Sequence, residues 1–357
     1  MNRMLAWWAK WSADKGITTP LLAPMLAAVL TLLLLIPVTR IIIAQNLPLT
    51  VKWKDDMRAY MSMRLVTPAD HRPAVYNLGG SGLLRAIEED TTLEQQFEDR
   101  FQFYNLTTPS QSNVESLALL KSIDLREGDL VVMHINISRI NNLRPLKHWI
   151  CDPYFYTLHP GDLIAILNDL GLNAEINPLC HVTWLSRQKL LKTMIKNYRL
   201  GEQAPQYTGI YPLPQDRDPV ALEKLRATRL AKQADPSFDE SWLVLHRDKA
   251  RKNIELLRQM HDYATAIGAK FVLVDPPMNR DWFLRYHGKW FPFEEEYQAL
   301  FKPLVNAGVD YRDLRNLPDY HFDDFYDQTH MLEHARRKFW PLYQALVTEK
   351  LTDYNHP

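Results

Sequence analysis

Residues 73–82 read Pro73-Ala74-Val75-Tyr76-Asn77-Leu78-Gly79-Gly80-Ser81-Gly82. Ala74–Leu78 is a short apolar run, the pattern of a strand buried on both faces. Gly79, Gly80 and Gly82 open backbone angles that other residues avoid, so the strand can end in a sharp turn carrying a serine. Leu83–Asp90 then begins a helix. A buried strand, a glycine turn and a helix make a βα unit, and one such unit predicts more of its kind along the chain.

The rhythm repeats downstream. Phe101–Leu106 reads as a second strand, and Val114–Ile123 as a helix with apolar spacing at Leu117, Leu120 and Ile123. Asp129–Ile137 (DLVVMHINI) is the third and strongest strand. Asp248–Ile267 is a long amphipathic helix, followed by a fourth strand at Lys270–Asp275. A helix over Glu294–Ala307, a fifth strand over Val309–Leu314 and a last helix over Leu332–Leu351 complete the series. Strands alternating with helices predict an α/β domain over 73–352, with a five-stranded parallel sheet and helices on both faces. Residues 138–245 break the rhythm with short helical patterns and many Pro, Tyr and Trp. They read as a helical insertion over the carboxyl ends of the strands, where substrate sites are commonly shaped.

Composition bounds the rest. The 357 residues are 46% hydrophobic and 24% charged, enough for one large domain. The formal net charge of +0 supplies no basic field for nucleic acid. Cys151 and Cys180 match no metal spacing, and no cofactor motif is present. A disulfide between them and two buried thiols are both compatible with the sequence.

Leu21–Val38 carries no charge, and eighteen helical residues rise about 27 Å, close to a hydrocarbon core. Residues 21–43 therefore read as an uncleaved transmembrane anchor in the lipid bilayer. Residues 1–20 form a cytoplasmic lead, and 44–72 a stalk with a helix leading into the domain. Basic residues flank both ends of the span, so charge alone does not orient it. The expected arrangement is single-pass in the plasma or inner membrane, with the large domain extracytoplasmic.

Ser81 lies just beyond the carboxyl end of the first strand, where open parallel sheets bind ligands. Near the other end of the chain, Tyr326-Asp327-Gln328-Thr329-His330 precedes the last helix. Asp327 can accept from His330 Nδ1–H and fix its tautomer, leaving Nε2 to take the Ser81 proton. The Ser81 N–H and the glycine turn, Gly80 included, are candidates for holding an oxyanion. Each feature alone also reads as a turn or capping residue. Together they read as a catalytic Ser81-His330-Asp327 triad.

A serine in a Gly-Xaa-Ser turn after strand one, an Asn after a later strand and a terminal Asp-x-x-His resemble the SGNH (GDSL-like) hydrolase superfamily. The resemblance spans about residues 73–350, without the insertion. It implies a three-layer α/β/α fold, Ser81 as nucleophile, His330 as base, Asp327 as orienter and Asn136 as an oxyanion-hole side chain. The superfamily's second-strand glycine is replaced by Asn105-Leu106-Thr107-Thr108-Pro109, with Thr107 or Thr108 as its substitute. The anchor, the Gly-Ser turn, Ser110-Gln111-Ser112, the run Val274-Asp275-Pro276-Pro277-Met278-Asn279-Arg280-Asp281-Trp282 and Asp327-Gln328-Thr329-His330-Met331 resemble the membrane-anchored D proteins of the teichoic-acid D-alanylation system. That resemblance implies O-acyl transfer, D-alanyl or acetyl, onto an envelope polysaccharide or lipid-linked polymer. It also implies a membrane-bound O-acyltransferase partner and an acyl carrier. Thr107, Asn279 and Trp282 are then candidates for lining the substrate.

Other classes remain open. The same site acting with water is an esterase of envelope glycans. A non-catalytic scaffold of an acylation complex is a third reading, supported by the missing glycine. His330-Met331-Leu332-Glu333-His334 also matches H-x-x-E-H, which would make His330 and His334 zinc ligands on one helical face.

Overall fold

A computed structural model describes residues 70–88, 90–107, 111–121, 123–142, 218–233, 244–288, 290 and 293–351, with isolated positions at 10, 27, 30–31, 165, 168–171 and 195. The chain divides into two compact units, Met1–Lys52 with His181–Ala204, and Trp53–Cys180 with Pro205–Pro357. Nearly all of the expected anchor, most of the stalk and both cysteines lie outside the described residues. Among the described residues no helix is long and apolar enough to cross a membrane.

The second unit holds an α/β fold built on five parallel strands. In chain order its elements begin with β1 (Ala74–Gly79), α1 (Ser81–Ala86), α2 (Asp90–Gln96), β2 (Gln102–Thr107) and α3 (Asn113–Leu120). Next come β3 (Leu130–His134), α4 (Ile137–Asn141), α5 (Pro219–Gln233) and α6 (Arg247–Ile267). The chain closes with β4 (Lys270–Asp275), α7 (Arg280–His287), α8 (Glu294–Asn306), β5 (Asp310–Asp313) and α9 (Glu333–Leu351). The strand order is β2-β1-β3-β4-β5. After β2 the chain returns past β1 to build outward in the other direction. The gap between the carboxyl ends of β1 and β3 is therefore the topological switch point, where such sheets form a crevice.

The central strands are apolar without alternation because both faces are covered. Ala74, Tyr76 and Leu78 of β1 pack with Val131, Met133 and Leu273 beneath α3, α6 and α8. Val75, Leu130, Val132 and Val274 face the other way, against Leu83, Phe97, Phe339 and Tyr343 of α1, α9 and the segment after α2. Asn77 is the polar exception in β1, and its Oδ1 accepts from Tyr343 Oη at 2.8 Å. That bond offsets the cost of burying an amide.

Local chemistry sets several boundaries. Ser112 and Glu115 form a capping box that starts α3. Gly268, at φ +88°, ends α6 in the left-handed conformation. The third strand is shorter than its apolar pattern suggests. It stops at His134, because Asn136 is recruited as the N-cap of α4 and its side chain accepts from Arg139 N. Within the insertion, the described elements are the helix α5 and most of α4.

Candidate active site

Ser81 is the first residue of α1, two residues past the end of β1. Its N–H precedes the first helical hydrogen bond, Leu84 N to Gly80 O, and so has no acceptor within the helix. The turn is demanding at Gly79, which has φ +136°. A Cβ there would also lie 2.5 Å from the Cβ of His134 on the neighbouring strand.

The second half of the site is a loop pinched at its base. Phe325 and Met331 form an antiparallel bridge, and Tyr326 N donates to His330 O at 3.1 Å. Between them, Asp327 Oδ1 accepts the Thr329 and His330 N–H groups at 3.0 Å each. That folds the loop so that His330 Nδ1 meets both Asp327 oxygens at 2.8 Å. The imidazole stacks on Tyr326, with centroids 4.9 Å apart and planes 9° apart. Its Nε2 lies 2.6 Å from Ser81 Oγ. The three side chains thus make one continuous hydrogen-bonded relay.

Burial alone would raise the Asp327 carboxyl. The charge and hydrogen bond of His330, the Thr329 N–H and Arg229 outweigh it and hold the group below its ordinary value of 3.8. Asp327 is therefore a carboxylate at neutral pH, with Nδ1 of His330 as its donor. Arg229 comes from α5, inside the insertion, and its Nε is 3.8 Å from Asp327 Oδ2. One turn earlier, Arg226 donates to Phe325 O at 2.7 Å and lies 4.7 Å over the Phe322 ring. The insertion thus braces the triad loop, a contact the sequence pattern did not announce.

Asn136 sits just past the carboxyl end of β3, beside the end of β1. Its Oδ1 accepts the Arg139 N–H at 2.9 Å, which leaves its Nδ2 as a donor at the switch point. Gly80 is different. Its N–H donates to His134 Nδ1 at 3.2 Å, so this amide is committed inward and is not an oxyanion donor, contrary to the sequence expectation. Ser81 and Asn136 follow the carboxyl ends of the adjacent strands β1 and β3.

The residues expected to line substrate are instead internal. Thr107 is fully buried at the end of β2, with its Oγ1 donating to Asn105 Oδ1 at 2.5 Å. Asn279 is also fully buried. It caps α7 by accepting from Trp282 N at 3.0 Å and donates from Nδ2 to Asp327 O at 3.1 Å. Trp282 has no exposed surface and stacks on Phe322 at 5.9 Å. Asn279 therefore holds the loop of Asp327, and Trp282 packs against Phe322 ahead of that loop.

The zinc arrangement is not formed. His330 precedes α9, so it does not share a helical face with His334, and both its ring nitrogens are engaged by Asp327 and Ser81. His334 Nε2 instead pairs with Asp324 Oδ1 at 3.0 Å, and Glu333 with Arg337.

Residues the sequence reading missed surround the nucleophile turn. Gln111 accepts the Gly79 N–H at 2.7 Å and donates to Leu106 O at 2.8 Å, tying the ends of β1 and β2. His134 and Arg139 stand behind Gly80. No protein-family model matches the chain, and no curated protein is significantly similar to it.

Proposed function

We propose that the protein is a serine acyltransferase working through an acyl-Ser81 intermediate. The observation that carries the reading is the unbroken relay from Ser81 Oγ to His330 Nε2 at 2.6 Å and from His330 Nδ1 to Asp327 at 2.8 Å. A nucleophile, a base and an orienting carboxylate in hydrogen-bond succession are what acyl transfer to an oxygen requires.

Ser81 Oγ attacks the acyl carbonyl as His330 Nε2 takes its proton. The Ser81 N–H and Asn136 Nδ2 are offered to the oxyanion of the tetrahedral intermediate. Collapse expels the leaving group, which takes the proton back from His330. A hydroxyl of the acceptor then enters, gives its proton to His330 and attacks the acyl-serine. Ser81 leaves and recovers the proton. Asp327 keeps its charge throughout and stabilises the imidazolium in both halves.

The doubly covered parallel sheet with the serine at its switch point supports an SGNH-like three-layer reading of the domain. The resemblance to the membrane-anchored D proteins, with an apolar segment at 21–43, supports an extracytoplasmic domain on a single anchor. In that setting the acceptor is an envelope polymer hydroxyl and the partner a membrane-bound O-acyltransferase. With water as acceptor the same triad is an esterase.

Release of ester-linked acyl groups from purified cell envelopes by mild base tests the proposal. Cells lacking the protein are complemented with wild type or Ser81→Ala at matched expression. Return of base-labile D-alanine or acetate with wild type alone is the expected result. Equal restoration by Ser81→Ala overturns the serine mechanism and favours the scaffold.

A further inference from the structure

Behind the serine turn stands a second histidine that the triad does not use. His134 ends β3, is fully buried and runs beneath the turn from Gly79 to Gly82. Its Nδ1 accepts the Gly80 N–H at 3.2 Å. The flanking glycines are cut to fit it. A Cβ on Gly79 would lie 2.5 Å from His134 Cβ, and one on Gly82 would lie 2.8 Å from Cε1 and 2.9 Å from Nε2. On Gly80 it would instead meet Arg139 Nη1 at 3.4 Å. Arg139 Nη2 donates to Asn113 Oδ1 at 2.8 Å and to Ser116 Oγ at 3.0 Å. Ser116 Oγ donates to Gln111 Oε1 at 2.7 Å, and the same oxygen accepts the Gly79 N–H. The two peptides that precede Ser81 are thus gripped by buried side chains from β3, α3, α4 and the segment before α3.

We propose that His134 is a positioning residue of the serine centre: its Nδ1 anchors the Gly80 peptide and so fixes the direction in which Ser81 Oγ and N–H leave the turn. The inference rests on the serine reading and names what aims the nucleophile. Only an unprotonated Nδ1 can accept the Gly80 N–H. The charged groups facing the ring are Arg139 from α4 and His330 from the triad loop, while Glu115 acts on Arg139. Burial first, then the charges of Arg139 and His330, hold the His134 ring well below its ordinary range, so it stays neutral. Its proton then sits on Nε2, which is buried with no partner among the described residues. The anchor is retained despite that cost.

The test compares His134→Asn, which keeps an acceptor near the place of Nδ1, with His134→Leu, which fills the volume without one. Rates of fluorophosphonate labelling, kcat and KM for p-nitrophenyl acetate, and Tm are measured on the full-length protein in detergent. In His134→Leu, labelling and kcat are expected to fall by about 10- to 100-fold with KM nearly unchanged, as for a slightly misdirected nucleophile. His134→Asn is expected to recover much of that loss at a similar Tm. A His134→Leu protein as fast as wild type, or an Asn variant no better than Leu at equal Tm, overturns the proposal. A wild type that is not labelled at all removes the serine reading and this inference with it. Labelling that is lost in Ser81→Ala but unimpaired in His134→Leu removes this inference alone.

Discussion

Asn279 holds the main chain of Asp327: its Nδ2 donates to Asp327 O at 3.1 Å, while its backbone N–H donates to Gln328 O at 2.9 Å. One residue thus links the segment after β4 to the loop that orients His330. Its Oδ1 also caps α7. Asn279→Ala is expected to cost about 1–2 kcal/mol through the lost cap and loop bond. Loosening the loop should lower kcat roughly 10-fold with little change in KM. Chemical denaturation and ester-hydrolysis kinetics check both parts.

The observed cap and the proposed oxyanion role of Asn136 are separated by one substitution: its Oδ1 caps α4, and its Nδ2 is the proposed donor. Asn136→Asp keeps an acceptor for the cap but replaces the donor with a negative oxygen. The expected outcome is a Tm within a few degrees of wild type and a kcat lower by roughly 10²-fold, the typical loss for an oxyanion donor. Wild-type kcat in this variant would remove Asn136 from the oxyanion site.

Much of this arrangement was legible in the sequence. The βα rhythm pointed to the parallel sheet, and β4 runs over Lys270–Asp275 as its pattern indicates. The meeting of Ser81, His330 and Asp327 was legible because each half is local: a strand-ending glycine turn, and an Asp-x-x-His in one short loop. The carboxyl end of β3 was not. Ile135 and Ile137 continue the apolar pattern, and nothing local says that Asn136 caps a helix. Thr107, Asn279 and Trp282 sit in motif-bearing segments, but a motif does not say which side of the backbone is sealed in the core. His134 reads as one more buried residue in a hydrophobic strand, and only the β1–β3 pairing puts it under Gly80. The contact of Arg229 with Asp327 joins residues far apart in the chain, and its spacing carries no signal.

Arg229 lowers the Asp327 carboxyl, and its side chain is 43% exposed, so removing it should leave the fold intact. Losing this cation raises the Asp327 value. The acid limb of kcat/KM should move to higher pH in Arg229→Gln, reported as an apparent value of the coupled pair. A limb that stays in place or moves to lower pH would contradict the contact.

Asp275 gives a stability prediction away from the triad. It is fully buried, accepts from Tyr297 Oη at 2.7 Å and lies 3.3 Å from Arg315 Nε, a guanidinium that Asp313 and Glu294 also bind. Burial, the main cause, pushes the Asp275 carboxyl up to about 8, against the opposing pull of Arg315. The folded value lies above the unfolded one, so its contribution is fully present below the ordinary value of 3.8 and is lost as pH rises through about 8. Asp275→Asn mimics the protonated acid. Wild type should therefore lose Tm relative to Asp275→Asn as pH rises between about 4 and 8, by on the order of ten degrees. A pH-independent difference would show that Asp275 is ionised in the fold.

The most direct test of the central claim is to trap the acyl-enzyme. Wild type, Ser81→Ala and Asp327→Asn are mixed with p-nitrophenyl acetate, quenched in acid within the first turnovers, and digested for peptide mass spectrometry. The account predicts one acetyl group on the peptide containing Ser81 in wild type, none on that peptide in Ser81→Ala, and strongly slowed appearance in Asp327→Asn. An acetyl group found elsewhere, or turnover that survives in Ser81→Ala, would contradict it.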